Sequence, residues 1–152
     1  MDDSLTPAEL EAWHAVLTVA DTLRSMVAAE VKPVTGLSWA DHVVLMQLKV
    51  APGNRIQQQP LADKMQWAKA RLSRHLTRMQ ERGLVDRVRD GVTPGVLITL
   101  TEKGRDAVEA ATAPHAEAVR RNLLELATAE ELAAFVDFAR RLERFAKQSD
   151  GA

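Results

Sequence analysis

Apolar residues recur at three- and four-residue intervals from Leu10 through Trp13, Leu17 and Ala20 to Met26 or Val27, the spacing of one face of an α-helix. Thr6 followed three residues later by Glu9 is a capping-box pattern, and Pro7 stands at the first helical position, where its missing N–H costs nothing. The pattern predicts a helix from Pro7 to about Val31, broken by the stretch from Pro33 to Gly36. Ser38, with Asp41 in the first turn, opens a second helix carrying Val43, Val44, Met46 and Leu48, and Ala51-Pro52-Gly53-Asn54 closes it. Pro60, Leu61, Ala62 and Met65 predict a short helix. A connection at Gln66 and Trp67 then leads into a longer one from about Ala68 to Arg82, where Leu72, Leu76 and Met79 form the apolar stripe and Gly83 supplies the left-handed stop.

After Gly83 the period shortens. Leu84, Val85 and Val88, then Val96, Leu97, Ile98 and Leu100, read as two short strands around Asp90-Gly91-Val92-Thr93-Pro94-Gly95, a small hairpin. Thr101 caps a helix that runs past Val108 to about Leu126 with a kink at Pro114, and a second capping box at Thr128 and Glu131 starts a last helix, about Glu130 to Lys147. The predicted class is mainly α, an α+β winged helix-turn-helix with a two-stranded wing, flanked by N- and C-terminal helices. Within the single chain of residues 1–152, residues 37–100 form the winged-helix lobe. Residues 5–33 and 101–148 form a helical lobe whose Phe135, Phe138, Leu142 and Phe145 read as a dimer seam.

Composition narrows the function. The 152 residues contain no Cys, which removes disulfides, cysteine zinc sites and thiol redox chemistry and fits a reducing cytoplasm. No apolar run approaches the roughly 18 residues of a membrane span, and the acidic N-terminus is unlike a signal peptide, so the expectation is a cytoplasmic protein with no membrane partner. His14, His42, His75 and His115 never fall three or four residues apart, so no metal site is predicted. No nucleophile–base set or glycine-rich phosphate loop is recognisable, so neither a catalytic residue nor a cofactor is expected.

The net charge of −1 hides an uneven distribution. Residues 64–89 hold eight cations and two anions, a net of +6, whereas residues 1–63 come to −4 and residues 90–152 to −3. With Leu72, Leu76 and Met79 turned inward, Lys69, Arg71, Ser73, Arg74, Thr77 and Arg78 occupy the outer faces of the basic helix, a set suited to the major groove of double-stranded DNA. Arg74 and Arg78 are the candidates for base reading, because a guanidinium can bond guanine O6 and N7 together. Arg87 and Arg89 extend the positive face towards the flanking backbone or minor groove.

The stretch Leu72-Ser73-Arg74-His75-Leu76-Thr77-Arg78-Met79-Gln80-Glu81-Arg82-Gly83-Leu84-Val85, followed by Leu100-Thr101-Glu102-Lys103-Gly104, resembles the recognition helix and post-wing segment of the MarR family of bacterial transcriptional regulators. The resemblance runs from about Leu5 to Lys147. It implies a homodimer in which the first, fifth and sixth helices of both chains interlace, each winged helix docking on half of a pseudo-palindromic operator. It also implies a crevice between the lobes for a small aromatic or lipophilic effector whose binding releases the DNA. On the helices that line that crevice, Trp13, His14, Leu17, His42 and Met46 are the candidate effector residues. The sequence departs from the family in two places. The wing tip offers no arginine, and Ala68 stands where a capping hydroxyl usually opens the recognition helix, with Trp67 on Leu72 as a hydrophobic staple instead. The expected function is a DNA-binding repressor. The alternative is a ligand-binding or protein-interaction module that keeps the fold without specific DNA recognition.

Overall fold

The computed structural model describes residues 4–89, 91 and 94–149. Helix α1 spans Pro7–Thr35, its start fixed by the reciprocal bonds of Thr6 and Glu9. It does not break at Pro33. A proline in the last turn removes one bond, while Thr35 Oγ1 donates to Val31 O at 2.8 Å and the N–H of Gly36, at φ 69°, donates to Lys32 O. The helix therefore ends at the glycine. Helix α2, Trp39–Val50, opens at the predicted Ser38 cap, which Asp41 completes into a capping box.

A 3₁₀ turn at Pro52–Asn54 leads into strand β1, Arg55–Gln57, which the sequence reading missed. Helix α3, Gln58–Met65, and helix α4, Lys69–Glu81, follow. Strands β2, Val85–Val88, and β3, Leu97–Leu100, form the hairpin. The β2–β3 hairpin is the expected two-stranded wing, and at its root β1 adds a third strand, pairing antiparallel with β3 to give the order β1-β3-β2, with Ile56 opposite Ile98. Three residues with one apolar side chain carry too little pattern to announce a strand; pairing with residues some 40 positions later makes it one. Asp90, Val92 and Thr93 of the expected wing tip lie outside the described residues.

The core sits among α2, α3, α4, the sheet and the next helix, α5, Glu102–Ala110. Leu45, Leu48, Leu61, Leu72, Leu76, Met79 and Ile98 are its largest fully buried side chains. Val108 and Ala111 join it, so one face of α5 closes the winged-helix core. Thr101 explains the motif after the wing: its hydroxyl donates to Gly83 O at 2.7 Å and accepts from Gly104 N at 2.9 Å, tying the end of α4 to the start of α5. A Cβ on Gly104 would overlap the Leu84 carbonyl oxygen, so only glycine fits there.

The helix expected to kink at Pro114 is interrupted at Ala111 instead, and α6 spans Thr112–Val119. The proline ring and missing N–H act on the carbonyl four residues back, that of Ala110, which places the interruption ahead of the proline. A π-helical turn at Arg120–Leu124 follows, then α7, Ala129–Ser149, opened by Thr128 and Glu131 bonding each other's backbone N–H. A small second cluster of Val27, Val31 and Ala118, with Trp39 and Val119 against it, joins α1 to α6. No described helix is long and apolar enough to cross a membrane.

Candidate nucleic-acid interface

Helix α4 is amphipathic, and its two faces separate cleanly. Leu72, His75, Leu76 and Met79 are buried, whereas Lys69, Arg71, Arg74, Thr77 and Arg78 are exposed and Ser73 is half-buried. Ala68 makes no side-chain cap bond. Trp67 packs on the core and meets His75 edge-on at 5.6 Å, and the Arg71 guanidinium lies 4.1 Å above its ring.

Arg87 reaches from β2 across to α3 and α4. Its guanidinium donates to Gln58 Oε1 at 2.9 Å, Thr77 Oγ1 at 3.2 Å and Ser73 Oγ at 3.3 Å. Three of the eight residues expected to meet DNA therefore hold one another in place. Lys69, Ser73, Arg87 and Arg89 share a groove of about 280 Å³, closed by Gln57 and Gln59 on one side and Pro94 to Val96 on the other. Four positive or hydroxyl-bearing side chains around one concavity can accept a phosphate-rich strand.

Behind α4 lies a polar network absent from the sequence reading. Asp41, only 2% exposed, accepts from Arg82 Nη1 at 2.7 Å and Ser38 N at 2.9 Å, and its Oδ1 is 3.1 Å from His75 Nε2, close but not aligned as a full hydrogen bond. Burial pushes the Asp41 carboxyl up, but the contacts from His75, Arg82 and Ser38 together outweigh it and hold the group well below the usual carboxylate range. Arg78 Nη2 lies 3.2 Å from His75 Nδ1; arginine only donates, so Nδ1 accepts and the ring proton belongs on Nε2, towards Asp41. Arg82 also donates to Gly36 O at 3.0 Å, so the network joins α4, α2 and the end of α1. A signal was present: His75 shares the 3.6-residue stripe of Leu72, Leu76 and Met79, where a polar residue needs a buried partner.

Of the five candidate effector residues, His42 lines a crevice within the chain. That crevice, between α1, α2 and α6, is lined by Val27, Ala28, Val31, Leu37, Ser38, Trp39, His42 and His115. Trp13 and Leu17 are 53% and 49% exposed on α1, and His14 and Met46 are also exposed. His115, 73 positions from His42, was not among the candidates; its ring stacks on His42 at 4.6 Å and lies 6.1 Å from Trp39. Among the described residues, no group of three or more His, Asp or Glu is placed to hold a metal ion.

Residues 35–93 match the MarR family. The whole chain is similar in structure to AbsC, a MarR family transcriptional regulator from Streptomyces coelicolor, at 29% identity and TM-score 0.83, covering 98% of this chain and 99% of that one. Sco3205, a MarR family regulator from the same organism solved in complex with DNA, shares the fold at 22% identity and TM-score 0.84, with 94% of each chain covered. An organohalide-sensing regulator, RdhR-CbdbA1625, solved with 2,4-dichlorophenol, shares it at 19% identity and TM-score 0.78, covering 95% of this chain and 88% of that one. No curated protein matches the chain at a significant level.

Proposed function

We propose that the chain is a transcriptional regulator of the MarR family that binds duplex DNA sequence-specifically as a homodimer and acts as a repressor released by a small aromatic or lipophilic molecule. The observation that carries the reading is the row of exposed cations on α4, Lys69, Arg71, Arg74 and Arg78, continued by Arg87 and Arg89 along one groove. With α4 in the major groove, Arg74 has no internal partner among the described contacts and is the first choice for base reading. Arg78 shares its guanidinium with His75. Arg87 positions Ser73 and Thr77 while adding its charge, and Lys69 and Arg89 meet the phosphates.

The terminal helices support the dimer. Helix α7 has no buried residue, and Phe135, Phe138, Leu142 and Phe145 are 41–68% exposed. Leu10, Trp13 and Leu17 are similarly bare on α1. So much exposed apolar surface belongs against another chain. In this reading residues 37–100 are the DNA-binding lobe, and the terminal helices from both copies form the dimerisation lobe. Two symmetric recognition helices address half-sites about one helical turn, near 10 bp, apart. The crevice around His42 is then the effector site, and the DNA-bound and chlorophenol-bound relatives are consistent with that division of labour.

The test is a selection of bound sequences from random duplexes, followed by affinity measurements on the selected operator. Arg74→Ala and Arg78→Ala should each weaken it by about 1–3 kcal/mol, roughly 5- to 150-fold. Unchanged affinity in both variants would mean that α4 does not read bases. Binding that depends on salt but is equal for all duplexes would favour an interaction module that has kept only the fold.

A further inference from the structure

His75 is a polar residue on an apolar stripe. It shares the inner face of α4 with Leu72, Leu76 and Met79 and is only 7% exposed, at a position where leucine or methionine would pack without burying polar atoms. Its ring is held from several directions: Asp41 Oδ1 lies 3.1 Å from Nε2, Trp67 meets the ring edge-on at 5.6 Å, and Arg78 Nη2 lies 3.2 Å from Nδ1. Asp41 and Trp67 belong to the packed interior of the lobe, whereas Arg78, one helical turn on, is exposed on the proposed DNA-facing side. The imidazole therefore joins a buried carboxylate to a surface guanidinium.

The exposed arginines of α4 are not held alike. Arg74 has no internal partner among the described contacts, and Arg71 rests on the face of Trp67 at 4.1 Å. Arg78 alone of the three is hydrogen-bonded to a buried side chain of its own helix. Because arginine only donates, Nδ1 accepts, and the ring proton sits on Nε2 towards Asp41, which selects that tautomer. Asp41 is itself fixed by Arg82 at 2.7 Å and by Ser38 N at 2.9 Å, so the chain of contacts starts from a rigid point on α2. An arginine already held gives up less side-chain freedom on binding than a loose one, and its donors point in a set direction. Giving one N–H to His75 leaves another edge of the guanidinium for a base.

We propose that His75 is a positioning residue for sequence reading: anchored from behind by Asp41, it aims the Arg78 guanidinium at a base pair without touching DNA itself. The proposal rests on the reading of α4 as the recognition helix and adds to it a residue from inside the fold. It separates two quantities that a surface cation normally joins. Arg78 keeps its charge whichever way it points, so attraction to phosphates does not depend on His75. Discrimination between bases does, because it requires the donors to be aimed.

The test uses the full-length protein, the operator selected from random duplexes and its single-base-pair variants. Arg78→Ala locates the base pair that this arginine reads, as the position in each half-site where preference disappears. His75→Gln, whose amide overlies Nε2 and leaves no acceptor at Nδ1, should cut the preference there by about fivefold, with the other positions and a non-specific duplex changed by less than about twofold. His75→Asn, whose side-chain oxygen overlies Nδ1, should keep that preference within about twofold although it leaves the larger cavity. A merely structural histidine would give the opposite order, following thermal stability. Equal loss in the two variants, loss spread over all positions, or further loss at that base pair when His75→Gln is added to Arg78→Ala would each overturn the proposal. If neither variant folds, the nitrogen chemical shift of His75 Nδ1 in the unaltered protein decides: an unprotonated Nδ1 supports the proposal and a protonated one overturns it. Preference kept in His75→Gln but lost in Arg78→Ala would overturn the positioning role alone, whereas preference kept in Arg78→Ala would overturn base reading by Arg78 and the proposal with it.

Discussion

Helices α4 and α7 carry the same kind of pattern and meet opposite fates. Both are amphipathic, with an apolar stripe at helical spacing. In α4 the stripe of Leu72, Leu76 and Met79 is fully buried, and its polar face is the one left for a partner. In α7 the stripe of Phe135, Phe138, Leu142 and Phe145 is bare, and no residue is buried at all. Periodicity fixes which face of a helix is apolar but says nothing about what will cover it. The winged-helix lobe covers its own stripes; the stripe of α7 stays bare within the chain, and in the proposed dimer a second copy covers it.

The most severe way to break that contrast is to place charge on the bare stripe. Phe138→Glu combined with Leu142→Glu should raise the dimer dissociation constant by at least about a thousandfold, roughly 4 kcal/mol, since two carboxylates would be buried without partners. Light scattering after gel filtration would then find monomers, whereas an unchanged mass would mean that α7 is not the seam. The matching change inside the lobe, Leu76→Ala, should cost about 2–5 kcal/mol in thermal unfolding through the cavity it leaves. If the two helices responded alike, the distinction between a self-covered and a partner-covered face would fail.

A smaller effect sharpens the contrast at the polar network. Asp41→Asn should lower stability by roughly 1–3 kcal/mol at neutral pH, because His75 and Arg82 lose their charged acceptor. The sign with pH follows from the lowered carboxyl. Its stabilisation is fully present above the ordinary value of 3.8 and is lost as pH falls below it, so acid titration of the unaltered protein should show a decline that Asp41→Asn flattens. Equal acid sensitivity of the two proteins would remove Asp41 from the account. The least change is expected from Thr6→Ala, which deletes one half of the α1 capping box, at about 1 kcal/mol by chemical denaturation.

Much of the candidate interface is legible in the sequence because it is local. The basic residues of α4 face outward as a consequence of 3.6-residue geometry once Leu72, Leu76 and Met79 are assigned inward, and the caps at Thr6, Ser38 and Thr128 each announce a helix within four residues of sequence. Strand β1 escaped because its partner β3 lies some 40 positions on. The roles of Arg87 escaped for the same reason: a charge count reads it as a free cation, whereas Gln58, Ser73 and Thr77 hold it. The crevice residues read from the helices of α1 and α2 gave His42 but not His115.

By itself, then, the sequence determined the order of helices and hairpin, the apolar stripe of each helix, the positive face of α4 and the family these motifs resemble, since all of these follow from spacings within a turn or two of chain. Tertiary structure decided which polar groups meet across the fold: Asp41 with His75 and Arg82, Arg87 with the start of α3, and His42 stacked on His115. Such contacts join residues 29 to 73 positions apart, and no periodicity specifies them; they exist because the main core fixes α2, α3 and α4 while the smaller cluster of Val27, Val31 and Ala118 holds α6 beside Trp39.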